Sequence, residues 1–376
     1  MSLTSPPFAV GGLTLTLDLP SGGAARPRRV AIESTRPVAF SGTVFVGRAA
    51  GEVPALAARL HALCGRAHGT AAATAIEAAR SGASAVEDAP GGLEALAAER
   101  LGEHLRSVFT SRGLGAALET IDDETLADLR GVLGSARSFD AAEPDPERRA
   151  AAAAPIVAGL ERLGLSIEPG GRFRAAPGSW ATSVLERIGP ANGDVFLGVD
   201  ALRPADDDAV VTALAADPAG YSAHPTLAGR RPETGPLARV ATLRGVRDGR
   251  ARLTARLAEI AEAANLLVAP AAERAAAMAG WVTGGRLESA TGWAAVESPR
   301  GRLHHLVRLD GDGRVAAYAV LAPTEWNFHA EGPLAATLLA NRFDGGEAGY
   351  ARVVRIAALF DPCVGFDVAI RDAADA

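Results

Sequence analysis

The chain has 376 residues, 48% hydrophobic and 22% charged, which is the composition of a globular protein able to bury a sizeable core. All 38 basic residues are arginine, which excludes a P-loop lysine, a kinase strand lysine and a Schiff-base lysine. A formal charge of -6 without a basic block argues against nucleic acid as a partner, and two cysteines cannot make a disulfide framework.

No run of about 18 apolar residues occurs, so no membrane span is expected. Residues 1–10 show neither a charged n-region nor an apolar core, so no signal peptide is expected and the chain reads as cytoplasmic.

Residues 13–19 (LTLTLDL) alternate apolar and polar and predict a half-buried strand. Segments 28–34 and 37–47 predict further strands, which makes residues 1–50 a small N-terminal sheet. Residues 51–280 read as mainly helical. Apolar residues recur at helical spacing over 52–63, 70–82, 92–110, 123–134 and 147–164. Two prolines in 138–149 predict a loop, and the Gly- and Pro-rich stretch 166–205 is expected to wander over the surface. Residues 236–267 read as one long or kinked helix, with Gly245 and Gly249 as its weak points. Strands return over 281–330, where Asp310-Gly311-Asp312-Gly313 is the predicted turn of a hairpin. Residues 331–376 hold two last helices, 333–342 and 348–360, and a turn at Asp361-Pro362-Cys363. The order predicts a single α+β domain with a helical centre.

The two cysteines, Cys64 and Cys363, lie at opposite ends of the chain. His61, Cys64 and His68 are spaced i, i+3, i+7 and share one face if the stretch is helical. Imidazole and thiolate suit zinc, iron and nickel, although a free cysteine also packs as a small hydrophobe. Cys363 follows Pro362, whose fixed backbone makes a stiff turn from which to present a thiolate. The plainer reading is a buried thiol at a helix end. Taken alone, Arg300 in Pro299-Arg300-Gly301 reads as a surface arginine, and Trp326 and Asn327 as packing and turn residues.

Five short elements nevertheless occur in one order. They are Ser41-Gly42-Thr43-Val44-Phe45, the stretch Arg59 to Gly69 (RLHALCGRAHG), Glu297-Ser298-Pro299-Arg300-Gly301, Pro323-Thr324-Glu325-Trp326-Asn327 and Asp361-Pro362-Cys363. In this set and order the chain resembles the large subunit of NiFe-hydrogenases, end to end. The resemblance implies that family's fold, a helical core with small sheets from the N-terminal and C-terminal halves. It also implies that Cys64 and Cys363 meet in space.

The departures from the family pattern bear on activity. The family holds nickel with four thiolates, two of which bridge to an iron carrying cyanide and carbonyl. Here His61 stands at the first cysteine position and Phe366 at the fourth. Phenylalanine cannot ligate, and histidine offers a neutral nitrogen. The family's proton-relay glutamate is absent near Val10-Gly11-Gly12, and Ala369 replaces its histidine or arginine after the last cysteine. No nickel site, no hydrogen turnover and no nickel-triggered C-terminal processing are expected. By the resemblance, Cys64 and Cys363 are the metal thiolates, with His61 or His68 as an additional ligand or proton holder. Arg300 and Thr324, the latter following Pro323, donate to the cyanides.

A relative that keeps the iron half of the site resembles the hydrogenase expression/formation proteins of the HupK/HoxV type. It implies a non-enzymatic scaffold that carries an iron–dicyanide–carbonyl unit. The implied partners are the maturation proteins of the iron-assembly complex and the apo large subunit of a NiFe-hydrogenase. The alternatives are a metal-free interaction chaperone, a divergent catalytic subunit, and an adventitious zinc site of His61, Cys64, His68 and Cys363.

Overall fold

The computed structural model describes residues 11–82, 92–111, 113–114, 121–139, 145–168, 172–188, 193–240 and 248–372. The expectations for residues 1–10, for the centre of the 138–149 loop, for Gly245 and for the last four residues lie outside them.

The chain opens with β1 (Leu13–Leu19) and β2 (Arg29–Ser34), which pair antiparallel as expected. Residues 37–47 are not a strand. They hold the short helix α1 (Phe40–Phe45), because Ser41 and Phe45, four residues apart, are its buried positions. Next come α2 (Val53–Leu60), α3 (Gly65–Ser81), α4 (Gly92–Thr110), α5 (Asp123–Ser138) and α6 (Pro146–Arg162). Helix α3 starts five residues earlier than the sequence suggested, and ends on Gly82 at φ 78.

The stretch expected to wander contains regular structure, the hairpin β3 (Leu165–Glu168) and β4 (Arg172–Ala175) followed by α7 (Trp180–Arg187). Ser179 caps α7 by accepting from the Thr182 amide. Helices α8 (Asp207–Ala216), α9 (Pro218–Ala223) and α10 (Pro236–Arg239) lead to α11 (Gly249–Val268) and α12 (Ala271–Ala277). The long or kinked helix expected over 236–267 is two helices, the second starting at Gly249, one of its expected weak points. Helix α10 gives way to extended backbone at Val240, and Asp248 starts α11 by accepting from the Ala251 amide.

Four antiparallel strands follow in the order β5 (Val282–Glu288), β6 (Thr291–Ser298), β7 (Gly301–Leu309) and β8 (Val315–Leu321). The β7–β8 turn is at 310–313 as expected, with Gly313 at φ 73 and Asp310 accepting from the Asp312 and Arg314 amides. Every residue of β6 is buried. Its side chains alternate between two cores: Ala294 and Val296 join the main one, and Trp293 and Ala295 join a smaller one with Val210, Val211 and Leu214 of α8. Helix α3 lies on the main-core face at backbone contact. A Cβ at Gly292 would stand 2.2 Å from the Ala75 carbonyl oxygen and 2.3 Å from the Ala79 amide nitrogen.

The chain then forms α13 (Pro323–Asn327), α14 (Pro333–Ala340), α15 (Gly346–Ala358) and β9 (Phe366–Asp372). Strand β9 was not expected. It pairs parallel with β1, so the N-terminal sheet has the order β2-β1-β9 and is built from both ends of the chain. The whole is α+β with a helical centre, in which α11 packs on α4, α6 and α7.

Candidate functional site

Three breaks in regular structure and one short helix meet at one place. The first break joins α2 to α3. The chain leaves α2 at His61 (φ -109, ψ 62) and re-enters helix after Cys64 (φ -146, ψ 42). His61, Cys64 and His68 are therefore not on one continuous helix. The geometry still brings the two imidazoles face to face, with ring centroids 3.6 Å apart and planes 8° from parallel.

The second break is the β6–β7 turn that carries Arg300. Gly301 has φ +135, and a Cβ there would lie 2.4 Å from Thr234 Oγ1, so only glycine fits. The Ser298 hydroxyl donates to the Gly301 carbonyl at 2.7 Å, and Thr234 Oγ1 accepts the Arg302 amide at 2.8 Å. Arg300 is thereby turned inward at 5% exposure, not outward as an isolated Pro-Arg-Gly turn suggests. Its Nη2 reaches Glu103 Oε2 at 3.4 Å, and Asp361 Oδ2 lies 3.6 Å from Nε. Among the described residues, Nε and Nη1 have no hydrogen-bond partner.

The third break lies between α15 and β9. Helix α15 ends at Ala358, and Asp361 then takes φ 52, a left-handed conformation that aspartate tolerates better than most residues. The Ser107 hydroxyl of α4 donates to Asp361 Oδ1. Burial works against the Asp361 charge, but Arg300, Arg256 and this hydroxyl hold its carboxyl down at about 2. The turn sets Cys363 beside α13, where Thr324 Oγ1 lies 3.2 Å from Cys363 Sγ. Pro323, buried at the first position of α13, starts the turn that places Thr324.

Both thiols are half-buried, and Cys363 is among the groups that raise the Cys64 thiol. Burial, with Glu99 adding to it, pushes the Cys64 thiol well up, while Arg300 pulls it back. Arg300 in turn is raised despite burial, by Asp361 and by both cysteines. Cys64 and Cys363, nearly three hundred residues apart, thus both act on the charge of one guanidinium. Phe366, at the position of the family's fourth cysteine, opens β9 opposite Leu13 and packs on the main core.

His68 belongs to a buried chain. Its Nδ1 lies 2.9 Å from His305 Nε2, and His305 Nδ1 lies 2.7 Å from the Tyr318 hydroxyl. Two proton orders satisfy the chain. If Tyr318 donates, His68 carries its proton on Nε2 and cannot ligate; if Tyr318 accepts, His68 Nε2 keeps a lone pair. Burial drives the pKa of both histidines down, so neutral rings are favoured. His61 is pushed down to about 4 by burial and then by Arg36.

Several residues here had no signal in the sequence. Glu99 of α4 accepts the Arg66 and Ala67 amides at 2.6 and 3.0 Å, fixing the start of α3, and burial raises its carboxyl to about 7. Arg36, between β2 and α1, pairs with Glu325 of α13. Glu103, His305 and Tyr318 complete the surroundings. Asp361 and Glu325 stood inside short recognisable motifs, whereas nothing adjacent in sequence marks the others. Among the described residues, no three His, Cys, Asp or Glu side chains are grouped to hold a metal ion. The donor set is two thiols with buried cationic donors beside them, which fits a metal that arrives with ligands of its own.

The sequence model of the nickel-dependent hydrogenase family matches residues 251–368, from α11 through the Cys363 turn into β9. The hydrogenase expression/formation protein HupK of Rhizobium leguminosarum bv. viciae is 36% identical over 380 residues, covering 98% of this chain and 100% of that protein. HupK of Bradyrhizobium diazoefficiens is 36% identical over 89% of this chain and 90% of its own length. The hydrogenase expression/formation protein HoxV of Cupriavidus necator is 29% identical over 86% of this chain and 88% of its own. Among solved structures, the Ni-Fe-Se hydrogenase from D. vulgaris Hildenborough in the reduced state aligns at 14% identity and a TM-score of 0.48, over 90% of this chain and 93% of that one. On identity that runs the length of both chains, this chain belongs to the hydrogenase expression/formation proteins of the HupK type.

Proposed function

We propose that the chain is an accessory scaffold of NiFe-hydrogenase formation that carries an iron unit bearing cyanide and carbonyl between Cys64 and Cys363 and passes it to the apo large subunit. The names of its relatives support a role in hydrogenase expression/formation. One observation carries the iron-carrier reading. Two thiols act on the charge of a buried arginine whose Nε and Nη1 make no hydrogen bond among the described residues, an arrangement suited to an anionic acceptor beside a thiolate-held metal.

The protein's own groups divide the work. Cys64 and Cys363 ligate, and two thiolates in place of four permit release by ligand exchange. Arg300 Nε and Nη1 donate to cyanide nitrogen. Thr324, in contact with Cys363, either donates to a second cyanide or orients the thiol. Cys64 must lose its proton on loading, and burial holds that proton tightly, so loading is favoured as pH rises. With a histidine and a phenylalanine in place of two nickel ligands, this is a maturation factor and not a hydrogenase. The iron-assembly proteins and the apo large subunit are its proposed partners, and the cytoplasm its proposed compartment. No described helix is long and apolar enough to cross a membrane.

The absence of a three-donor group among the described residues favours a second reading, a metal-free chaperone that docks on the same partners. Infrared spectroscopy and metal analysis separate the two, on protein purified without oxygen from cells that contain the iron-assembly machinery. Cyanide and carbonyl bands with iron and no nickel, lost in Cys64→Ala and Cys363→Ala, are expected. Protein that lacks bands and iron yet still binds its partners overturns the carrier.

A further inference from the structure

Arg300 is not the lone cation at the site, and its charge is already shared. Glu103 and Asp361 both lie against it. A ferrous ion with two cyanides is neutral, and two thiolates make the bound group doubly anionic. One shared guanidinium leaves that group under-compensated in a buried place.

A second guanidinium stands on the Thr324 wall. Glu325 follows Thr324 in α13, and its Oε1 accepts from Arg36 Nη1. The pairing is one-armed. Among the described residues, Glu325 Oε2 is buried without a donor and no side-chain acceptor meets Arg36 Nε or Nη2. An arginine and a carboxylate free to choose their geometry commonly make two parallel bonds. Burial works against the Arg36 charge, yet Glu325, Cys363 and Cys64 together raise its pKa, so both thiols act on this side chain. Its side chain is 17% exposed and that of Glu325 is 6% exposed, so the pair is only weakly screened by solvent.

We infer that Arg36 is a second guanidinium for the anionic iron unit, and that Glu325 holds Arg36 in the unloaded site and competes with the unit for it. The inference rests on the carrier reading above. It assigns a binding role to a residue outside every motif of the chain, and it gives the site a way to let go. Loading draws Arg36 toward cyanide nitrogen, and Glu325 draws it back as the unit leaves.

The two residues therefore have opposite expected effects. The test is the rate at which cyanide and carbonyl bands disappear from loaded, oxygen-free protein after addition of excess dithiol. Arg36→Gln is expected to lose its bands about tenfold faster than the parent protein, as for loss of a charged hydrogen bond, with shifted cyanide frequencies. Arg36→Lys, which keeps the charge but not the fork, is expected to fall between them. Glu325→Gln frees Arg36 and is expected to lose its bands more slowly than the parent. Faster loss in both Arg36→Gln and Glu325→Gln would mean that the pair only braces α13, which overturns the inference. So would unchanged bands and rates in Arg36→Gln. Parent protein without bands overturns the carrier reading and this inference together, whereas bands unaffected by Arg36→Gln overturn this inference alone.

Discussion

Arg300 keeps its charge at 5% exposure while, among the described residues, Nε and Nη1 make no hydrogen bond and only Nε has a carboxylate, that of Asp361, at ion-pair distance. Unmet buried donors cost about 1–3 kcal/mol each, so the protein forgoes stability here unless something else supplies the acceptor. Arg300→Lys preserves the charge facing Asp361 and Glu103 but replaces a planar fork with a point charge. Its expected outcome is a loaded fraction lower by about tenfold, measured as iron content and cyanide band area. The parent and variant should melt within a few degrees of each other. Arg300, Thr324 and Cys363 are readable in sequence through the ordered set of short motifs that carries the resemblance; taken alone, Arg300 reads as a surface arginine. In the structure Thr324 Oγ1 lies 3.2 Å from Cys363 Sγ, and the charges of both cysteines act on Arg300. Arg36, Glu103 and Tyr318 are not readable, because only the pairing of distant elements puts them there. A sequence spacing likewise misstates His61 and His68. They meet by stacking across a helix break and not along a helical face.

At the scale of elements, the α3–β6 contact positions Cys64 against the strand pair that carries Arg300. Gly292→Ala would drive a methyl into the α3 backbone, where neither atom belongs to a movable side chain. We expect a loss of about 2 kcal/mol or more, visible as a lower urea midpoint, with loading impaired in proportion to the displacement of Cys64. Most helices were legible from apolar spacing and the β7–β8 hairpin from its turn residues. Two kinds of element were not. Helix α1 is too short for its period to stand out from strand alternation. Strand β9 carries the strand signal in Phe366, Val368 and Ile370, but its partner β1 is at the far end of the chain, where no local pattern points.

Across the whole molecule, a buried ionic lattice ties the elements around the site. Arg302 binds Asp207 through Nε at 2.6 Å and Glu297 through Nη1 at 2.9 Å, and His304 Nε2 meets Asp207 at 3.0 Å. Arg239 joins Glu297 to Glu259, which also meets His104. Removing one member strands a buried charge. Asp207→Asn is expected to destabilise by about 3–5 kcal/mol in chemical denaturation. Despite burial, Arg302 and His304 hold the Asp207 carboxyl at about 2, below its ordinary 3.8. That stabilisation is complete above the unfolded value and disappears as pH falls toward 2, about 2 kcal/mol in all. Burial also lowers the pKa of His104 and His304, so their contribution is complete above 6.5 and shrinks as pH falls below it. Asp207, His104 and His304 therefore lower the urea midpoint on acidification, and Glu99, whose carboxyl burial raises to about 7, offsets part of that fall between about pH 7 and 4.5.

The parallel pairing of β1 with β9 also sets a clock. Cys64 leaves the ribosome 299 residues before Cys363. At about 5–20 residues per second, that interval is roughly 15–60 s. Through all of it β1 has β2 beside it but lacks β9, and the first thiol lacks its counterpart. On the carrier reading, the site cannot be filled before Cys363 has been made, so the unit must be delivered after nearly all of the described chain is in place.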